Sequence, residues 1–432
     1  MSGAVTTRTG LNSRSWRAGF VALNLGQFLA HQTALSFSAL MPILRNEWTL
    51  SASQAGLILG VFQLGQTAAY VAVGFLLDRL RSKPIMVFSA AMVGMGDLLF
   101  AWGARDFASG FLLRLLAGAL LGGLYLPALK HIAETTPTLR RGLATGIYVG
   151  VSVAAYAAPL LYIGILAPHY GWRTTMAGVG TLELLGALVI WGRVQDVPLP
   201  APKAEGVSRY VGDVLANRRA RGVIVAYTAH NWELFGMWGW IGPFMVASLT
   251  ARGSAQADAL LWGGTLAAVM IGAGGTIGAV AGGRLADRLG RTGAARLMLG
   301  ASLPCSLVFG WLFSAPLALV ATVGLIYGIV VLADSPSYSA TLMEVVPPRS
   351  LGGAFSIQML FGWSATIVAP VVVGGILDFA KMISPEQTAP WGIAFGILAV
   401  GPLVGLLALR PGSDSRDTNR GSADQPARPT GA

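Results

Sequence analysis

Ionisable side chains occur inside several long apolar segments of this chain, where they could bind an ion or exchange a proton. Arg114, Asp97, His230 and Glu233 each lie within such a segment. A charged group in a membrane interior is costly, so it normally faces a cavity or a partner. A guanidinium group attracts anions, whereas carboxyl and imidazole groups can take up and release protons. These residue types indicate solute binding and proton exchange, and no hydrolase triad accompanies them.

Arg114 has two interpretations. It would share one helical face with Gly118 and Tyr125, so its side chain could contact a substrate or tune a carboxyl group. Alternatively, it forms a static ion pair with Asp97. The two residues lie at similar distances on either side of the loop 104–107 and would share one depth in a helical hairpin. The two roles can coexist.

A polar stretch in the seventh apolar segment contains the main candidate for a proton carrier. Glu233 lies about one helical turn after His230, and Asn231 lies between them. Burial can make a carboxyl group hold a proton near neutral pH, and imidazole titrates in the same range. Trp238 and Trp240 could instead be anchors at the membrane surface, but that role would not explain Glu233.

Further polar and aromatic residues fall on helical faces that could line a cavity. In the first apolar segment, Asn24, Gln27, His31 and Ser38 form one stripe, with Gln32 beside it. A histidine in such a stripe is often an ordinary hydrogen-bonded residue, and aromatic residues are often core packing. The residues predicted to line a substrate cavity are His31, Gln32, Arg114, Tyr125, Tyr156, His230, Asn231, Trp238 and Tyr327. Those predicted to couple to protons are Glu233, Asp97 and Arg114.

The composition is that of a membrane protein. The 432 residues are 54% hydrophobic and only 11% charged, with a mean hydropathy of +0.63. A soluble protein has roughly 25% charged residues. The apolar residues form segments long enough to cross a bilayer as helices. The single cysteine, Cys305, excludes an internal disulfide, and no cluster of metal ligands or nucleotide-binding loop is found.

The lysine and arginine residues are distributed unevenly between the two ends of the predicted spans. If both termini are cytoplasmic, 24 of the 30 lie on the cytoplasmic side, 5 lie outside, and Arg114 remains in the membrane. This distribution follows the positive-inside rule. The net charge of +11 therefore reflects membrane topology and does not indicate a nucleic-acid partner.

Twelve predicted spans divide into two sets of six, separated by a basic segment that contains prolines. The first span is predicted as one segment over 17–41, and residues 1–15 lack the apolar core of a signal peptide. The predicted units are a cytoplasmic N-terminal tail, a six-helix bundle, a cytoplasmic linker, a second six-helix bundle and a disordered cytoplasmic tail, over residues 1–16, 17–191, 192–218, 219–410 and 411–432.

A short basic motif occurs once in each half, about 210 residues apart. Each copy reads glycine, three residues, then Asp-Arg and further cations. The two copies contain Gly74, Asp78 and Arg79, and Gly283, Asp287, Arg288, Gly290 and Arg291, respectively. A motif that repeats once per half indicates an internal duplication.

The pattern G-x-x-x-D-R-x-G-R resembles the loop 2–3 signature of the major facilitator superfamily, which recurs in loop 8–9 of that family. The copy at 283–291 matches every fixed position. The first copy departs from it, with Arg81 in place of the second glycine and Ser82 in place of the next basic residue. Arg114 followed by Gly118 also resembles the R-x-x-x-G element in the fourth span of proton-coupled members.

The resemblance implies an all-α membrane protein in which twelve transmembrane helices form two pseudo-symmetric six-helix bundles. Spans 1, 4, 7 and 10 would line a central cavity. Asp78 and Asp287 would interact with helix starts in the opposite half, near Leu351 and Gly142, where the helix dipole is positive. These contacts would form a cytoplasmic latch that holds an outward-facing state. Alternatively, the charges only set membrane topology.

These patterns predict a secondary transporter of a bacterial inner membrane that works by alternating access and is coupled to protons. The expected partners are a small-molecule substrate, protons and the lipid bilayer. A monomer is expected, without cofactor, metal or enzymatic activity. Arg114 and the histidines favour a small organic anion as substrate, whereas the aromatic residues and Glu233 favour proton-driven efflux of an apolar or cationic compound. A third hypothesis is a non-transporting receptor or assembly factor on the same scaffold.

Overall fold

Helix dominates every described part of the computed structural model, and the described residues contain no strand. The structure describes residues 13–77, 79–198, 211–347, 350–384 and 386–409. Asp78, much of the predicted linker, most of the predicted N-terminal tail and all of the predicted C-terminal tail therefore lie outside the described residues.

The N-terminal half contains spans 1 to 6. Their helices are α1 Ser13–Ala30 and α2 Ser36–Glu47 (span 1), α3 Ala52–Leu76 (span 2), α4 Ser82–Gly103 (span 3), α5 Phe107–Leu121 and α6 Tyr125–Thr135 (span 4), α7 Arg141–Tyr170 (span 5) and α8 Trp172–Arg193 (span 6).

The C-terminal half contains spans 7 to 12 and follows the short helix α9 Val211–Ala216. Its helices are α10 Arg218–Ala251 (span 7), α11 Gln256–Ala268 and α12 Gly275–Leu289 joined by a π-helical turn (span 8), α13 Arg291–Phe309 (span 9), α14 Leu317–Ala333 and α15 Ser335–Val345 (span 10), α16 Leu351–Ile383 (span 11), and α17 Thr388–Gly396 and α18 Val400–Ala408 (span 12).

Eleven helices in the described part of the chain are long and apolar enough to cross a membrane. Span 1 is the twelfth crossing, and it is not among them because it is interrupted at 31–35. Its two pieces have 18 and 12 residues, which together cover about 45 Å at the rise of an α-helix. The predicted fold class is confirmed, but the first span, predicted as one segment over 17–41, consists of two helices.

Helices extend into both ends of the segment 192–218 that the sequence predicts as a linker. Span 6 ends at Arg193, and α9 precedes span 7. The side chain of Asn217 accepts hydrogen bonds from the backbone N–H groups of Arg219 and Ala220 and thereby caps the start of span 7. Residues 199–210 lie outside the described residues.

The two bundles pack closely where span 5 meets span 8 and where span 2 meets span 11. A methyl group at Gly264 would lie 2.1 Å from the carbonyl oxygen of Leu160, and one at Gly56 would lie 2.4 Å from that of Pro370. Side chains larger than glycine do not fit at these distances, so glycine allows the helix backbones of the two bundles to approach.

A carboxylate of the C-terminal bundle caps a helix of the N-terminal bundle at the far end, which we define as the end opposite the linker. Asp378 accepts hydrogen bonds from the backbone N–H groups of Ala52 (2.8 Å) and Ser53 (2.7 Å) and from the hydroxyl of Ser53 (2.6 Å). Negative charge is favourable at a helix N-terminus. This contact between the bundles closes the far end.

Spans 5 and 8 are less tightly packed toward the other end of the molecule, the linker end. Val153 still lies against span 8, 3.1 Å from the position that a methyl group at Gly275 would take. Closer to the linker end, a methyl group at Gly142 or Gly146 would meet no atom within 4 Å, and Leu143 is 69% exposed. The bundles are therefore closed at the far end and more open along these spans at the linker end.

Candidate functional site

The guanidinium group of Arg114 is buried inside the N-terminal bundle. Its Nη1 donates to the hydroxyl of Thr33 at 2.8 Å and to that of Ser36 at 3.3 Å, and its Nη2 donates to the carbonyl of Thr33 at 2.8 Å. The guanidinium carbon also lies 4.3 Å from the centre of the Phe62 ring. Because arginine stays protonated in proteins, the bundle contains a fixed positive charge.

The interruption of span 1 provides backbone groups that bind charged side chains. Residues 31–35 form turns instead of helix. The carbonyl of Thr33 accepts from Arg114, and its N–H donates to Oε1 of Glu183 in span 6 at 2.8 Å. Irregular backbone at membrane depth must be satisfied by protein groups or water. Here an arginine and a glutamate from two other spans satisfy it.

Two carboxyl groups lie beside this arginine. Oδ1 of Asp97 is 3.7 Å from Nη1 of Arg114, so spans 3 and 4 bring these residues to one depth. Glu183 neighbours both Asp97 and Arg114. Both carboxyl groups are completely buried. The N-terminal bundle thus encloses one cation and two acidic groups at a single place.

Arg114 also lines a small cavity between the bundles, with room for little more than a water molecule. It is the one charged residue in that lining. The lining residues are Ala34, Leu35, Leu59, Phe62, Gln63 and Arg114 from the N-terminal bundle, and Phe235, Gly239, Thr366 and Pro370 from the C-terminal bundle.

A series of neighbouring aromatic rings crosses between the bundles beside this cavity. The ring of Trp363 lies 5.0 Å from that of Tyr70, and the ring of Trp238 lies 5.8 Å from that of Tyr156, measured between centres. Phe235 contacts both tryptophans. The full series is His31, Tyr156, Trp238, Phe235, Trp363, Tyr70, Tyr125 and Tyr148. It brings together four of the residues that the sequence assigns to the cavity.

Glu233 lies inside the C-terminal bundle and is not part of the cavity lining. Its Oε1 accepts from the hydroxyl of Ser306 at 2.5 Å, and its Oε2 accepts from that of Ser302 at 3.0 Å. The hydroxyl of Tyr327 lies 3.0 Å from that of Ser306. Tyr327, which the sequence assigns to the substrate cavity, therefore belongs to a buried network around Glu233.

His230 belongs to a second buried contact in the same bundle. Its Nδ1 lies 2.8 Å from Oδ1 of Asp334, and the hydroxyl of Tyr338 donates to Oδ2 of Asp334 at 2.5 Å. The rings of His230 and Tyr227 stack with their centres 6.3 Å apart. His230 thus contacts a carboxyl group and aromatic rings within its own bundle.

Three other predicted cavity residues bond to their own helix. The side chains of His31, Gln32 and Asn231 each contact the backbone carbonyl four residues earlier, at 3.1 Å for His31 and 2.9 Å for Asn231. All three are buried. In this conformation these contacts occupy part of the hydrogen-bonding capacity that the sequence analysis assigned to a substrate.

The second basic motif lies at the linker end. Asp287 is exposed, and no hydrogen bond or ion pair joins it to any residue in the described ranges. Arg291 pairs with Glu344 of its own bundle at 2.6 Å. Gly290 has a φ of 75° between spans 8 and 9, a conformation that favours glycine. Asp78 of the first motif lies outside the described residues.

Sequence reasoning did not find Glu183 or Thr33. Glu183 is the only acidic residue within span 6, so its position in an apolar segment was an available signal. Thr33 gave no signal, because its role depends on the interruption of span 1, and residues 31–35 contain neither proline nor glycine.

Comparison with known proteins identifies relatives over most of the chain. A probable sulfoacetate transporter of Cupriavidus necator is 24% identical, over 88% of this chain and 90% of that protein. A hexuronate transporter of Bacillus subtilis is 25% identical, over 85% of this chain and 89% of that protein. Among solved structures, a bacterial homologue of the human lysosomal transporter Spinster, in an inward-facing and unoccupied conformation, has a TM-score of 0.72 at 17% identity and covers 92% of this chain and 96% of that chain.

The structural likeness concerns the fold alone, since its sequence identity is low. The sequence pattern of the Major Facilitator Superfamily, however, matches residues 23–370, and this range contains both basic motifs and the residues around Arg114. Helices on either side of the linker form two six-span bundles with a cavity between them. The chain therefore belongs to the major facilitator superfamily.

Proposed function

We propose that this protein transports a small organic anion across the bacterial inner membrane, driven by a proton gradient. The observation that carries the proposal is the position of Arg114, a buried cationic residue that is part of the lining of a cavity between the two bundles. Two related proteins are described as transporters of sulfoacetate and of hexuronates. Both substrates carry a carboxylate, which a guanidinium group can bind with two hydrogen bonds.

The difference between the two ends of the molecule supports alternating access. The cavity is too small for a hexuronate in this conformation, so the bundles must move to admit one. At the far end, Asp378 of one bundle caps span 2 of the other. At the linker end, Asp287 is exposed. We assign the linker end and both termini to the cytoplasm, and we propose that Asp287 and Asp78 form a latch when that end closes.

Proton coupling is the finer part of the proposal. Asp97 lies beside Arg114, so an anion that binds the guanidinium group competes with this carboxyl group for the same charge. Glu233 is buried and bound by two serine hydroxyls. A buried carboxyl group can accept a proton without leaving a charge in the membrane. Asp97 and Glu233 are therefore the proposed proton-binding groups, and the transporting unit is proposed to be the monomer.

Proton-driven efflux of an apolar or cationic compound is the second candidate function. The aromatic series between the bundles favours it, because Trp238, Phe235 and Trp363 would provide an apolar and cation-attracting surface. Arg114 disfavours it, because a fixed cation in the cavity lining repels a cationic substrate.

A ligand screen of the purified protein by thermal unfolding tests the first candidate against the second. We expect sulfoacetate or a hexuronate such as glucuronate to raise the unfolding temperature, because a ligand at 100 times its Kd stabilises by about 2.7 kcal/mol. Stabilisation by lipophilic cations alone would support efflux and contradict anion transport.

Matched arginine variants identify the binding charge. Arg114→Lys keeps a positive charge but loses the paired hydrogen bonds, so we expect it to abolish stabilisation by anions. Arg252→Lys is the control, since Arg252, like Arg114, donates to backbone carbonyl and hydroxyl oxygens but lies at the far end. Equal loss of anion binding in both variants would contradict the role of Arg114.

A further inference from the structure

The buried charges around Arg114 do not balance if every acidic group is ionised. One guanidinium group from span 4 faces two carboxyl groups, Asp97 from span 3 and Glu183 from span 6, and none of the three has more than 1% of its surface exposed. A net charge is expensive in an interior without water. The site is electrically neutral only when one of the two carboxyl groups carries a proton.

The hydrogen bonds at this site indicate where such a proton would lie. Oε1 of Glu183 accepts from the N–H of Thr33. Oε2 of Glu183 is buried and accepts no hydrogen bond from a described group, and the groups beside the carboxyl group of Asp97 are the hydroxyl of Thr33, the carboxyl group of Glu183 and the guanidinium group of Arg114. Two adjacent carboxyl groups can form a hydrogen bond with each other when one of them is protonated and donates to the other.

Every helix packed against the pair contributes an identified group. Span 4 contributes Arg114, and span 1 contributes Thr33 from its interruption and Ser36 from the start of α2. Span 5 contributes the buried hydroxyl of Tyr162, which is close to both carboxyl groups. Arg114 is the only cation that contacts the pair among the described residues. Because the charge of Arg114 is fixed, the charge of an anion bound beside it must be balanced by a proton on the pair.

We propose that Asp97 and Glu183 share one proton beside Arg114, and that this pair takes up the proton coupled to anion transport. The inference rests on the proposed function and adds Glu183 as a proton-binding residue. At rest, one shared proton leaves the pair with a single negative charge opposite Arg114. When a monovalent anion binds Arg114, one proton from water joins the pair, so that both carboxyl groups are neutral. The proton returns to water when the anion leaves.

The interruption of span 1 connects this pair to the cavity. Glu183 accepts a hydrogen bond from the N–H of Thr33, and Arg114 donates one to the carbonyl of Thr33. The next two residues, Ala34 and Leu35, line the cavity. Binding of an anion to Arg114 and protonation of Glu183 therefore act on the same backbone segment, which is where the two events can be coupled.

Infrared spectroscopy of the purified full-length protein tests the shared proton without any substrate. Wild-type protein at neutral pH should absorb as a protonated carboxyl group at this site. Glu183→Gln and Asp97→Asn should each lose this one band, because the remaining carboxylate alone balances Arg114. Variant-minus-wild-type spectra cancel the contribution of Glu233. A band that survives in either single variant would overturn the sharing of one proton.

Anion binding as a function of pH tests the coupling. With glucuronate, which is a monovalent anion, as the probe, uptake of one proton per anion weakens wild-type binding by about tenfold per pH unit as pH rises. The double variant Asp97→Asn/Glu183→Gln should bind the anion with an affinity that does not change with pH. In proteoliposomes it should exchange anions but not accumulate them in response to a pH gradient. Retained pH dependence or retained accumulation would overturn the proposal.

Controls separate failure of this inference from failure of the proposed function. Glu47→Gln alters an exposed carboxyl group at the far end, which pairs with Arg173 at 3.0 Å, and it should leave both readouts unchanged. If the wild-type protein binds neither sulfoacetate nor glucuronate, anion transport is contradicted, while the infrared band still decides whether the proton is shared. If the double variant does not fold, the two single variants decide the question by the same spectra.

Discussion

The N-terminal and C-terminal bundles each bury a cluster of ionisable groups, but they satisfy these groups in different ways. In the C-terminal bundle, Glu233 accepts from two serine hydroxyls, and Asp334 lies between His230 and Tyr338. In the N-terminal bundle, one guanidinium group lies beside two carboxyl groups, and Oε1 of Glu183 accepts from a backbone N–H. The first cluster is a hydrogen-bonded network, whereas the second depends on charge.

The spans that contact the two clusters also differ in the continuity of their helices. Span 7 is a continuous helix of 34 residues, whereas span 1, at the corresponding place in the first half, is interrupted at 31–35. The interruption exposes backbone groups that bind Arg114 and Glu183. We infer that anion binding changes charge and backbone together in the N-terminal bundle, while Glu233 in the C-terminal bundle binds its proton within a hydrogen-bonded network on a continuous helix.

The largest effect that tests this comparison is expected from Glu233→Gln. The amide cannot carry a proton, so proton-driven uptake in proteoliposomes should fall to the level of protein-free vesicles. Anion binding and its pH dependence should remain, because Glu233 lies in the other bundle from Arg114. Wild-type uptake in this variant would contradict the role of Glu233. Loss of the pH dependence would mean that the two clusters act as one.

An intermediate effect is expected from Tyr338→Phe. The change removes the hydroxyl that donates to buried Asp334 at 2.5 Å, and a buried acceptor that loses its donor costs about 1–3 kcal/mol of unfolding free energy. Denaturant unfolding should detect this loss, with anion affinity unchanged. Tyr170→Phe is the control, because Tyr170 is 65% exposed. Equal stability of the two variants would show that the C-terminal network does not stabilise its bundle.

The smallest effect concerns the start of span 4, which carries Arg114. Hydrogen bonds from the hydroxyl and the N–H of Ser109 hold the pKa of Asp106 below its usual value. The N-cap position of span 10, the corresponding helix, is Pro316, which provides no side-chain cap. Asp106→Ala should therefore lower the unfolding temperature slightly at neutral pH. This difference should shrink as pH falls through the lowered pKa, because a protonated Asp106 caps less well.

Substitution at the other helix start is the control for that pH dependence. Pro316→Ala removes no titratable group, so any change in unfolding temperature should be independent of pH. A pH-independent effect of Asp106→Ala would mean that its charge does not stabilise the helix start.

Part of the candidate site could be predicted from the sequence. The similar distances of Asp97 and Arg114 from the loop 104–107 predict that they share one depth, and their side chains approach to 3.7 Å. This prediction succeeds because a short loop between two helices fixes their relative height. The direction of Glu233 could not be predicted in the same way, since periodicity does not tell which side of span 7 faces the cavity and which faces span 9.

The interruption of span 1 is the clearest feature that could not be predicted from the sequence. Residues 31–35 read His-Gln-Thr-Ala-Leu and contain no helix-breaking residue. The helix is open there because Arg114 and Glu183, which are distant in the chain, bind the backbone of Thr33. Such an interruption depends on tertiary contacts that local propensity does not encode.

By itself, the sequence determined the twelve-helix membrane fold and its two-fold organisation. Apolar segments in a bilayer must satisfy their own backbone hydrogen bonds, and helices do so from local sequence alone. Only the tertiary structure decided which charges meet, because the partner of a side chain depends on how the helices rotate and pack. For that reason Glu183, a single acidic residue without a motif, becomes part of the site only when spans 1, 3, 4 and 6 come together.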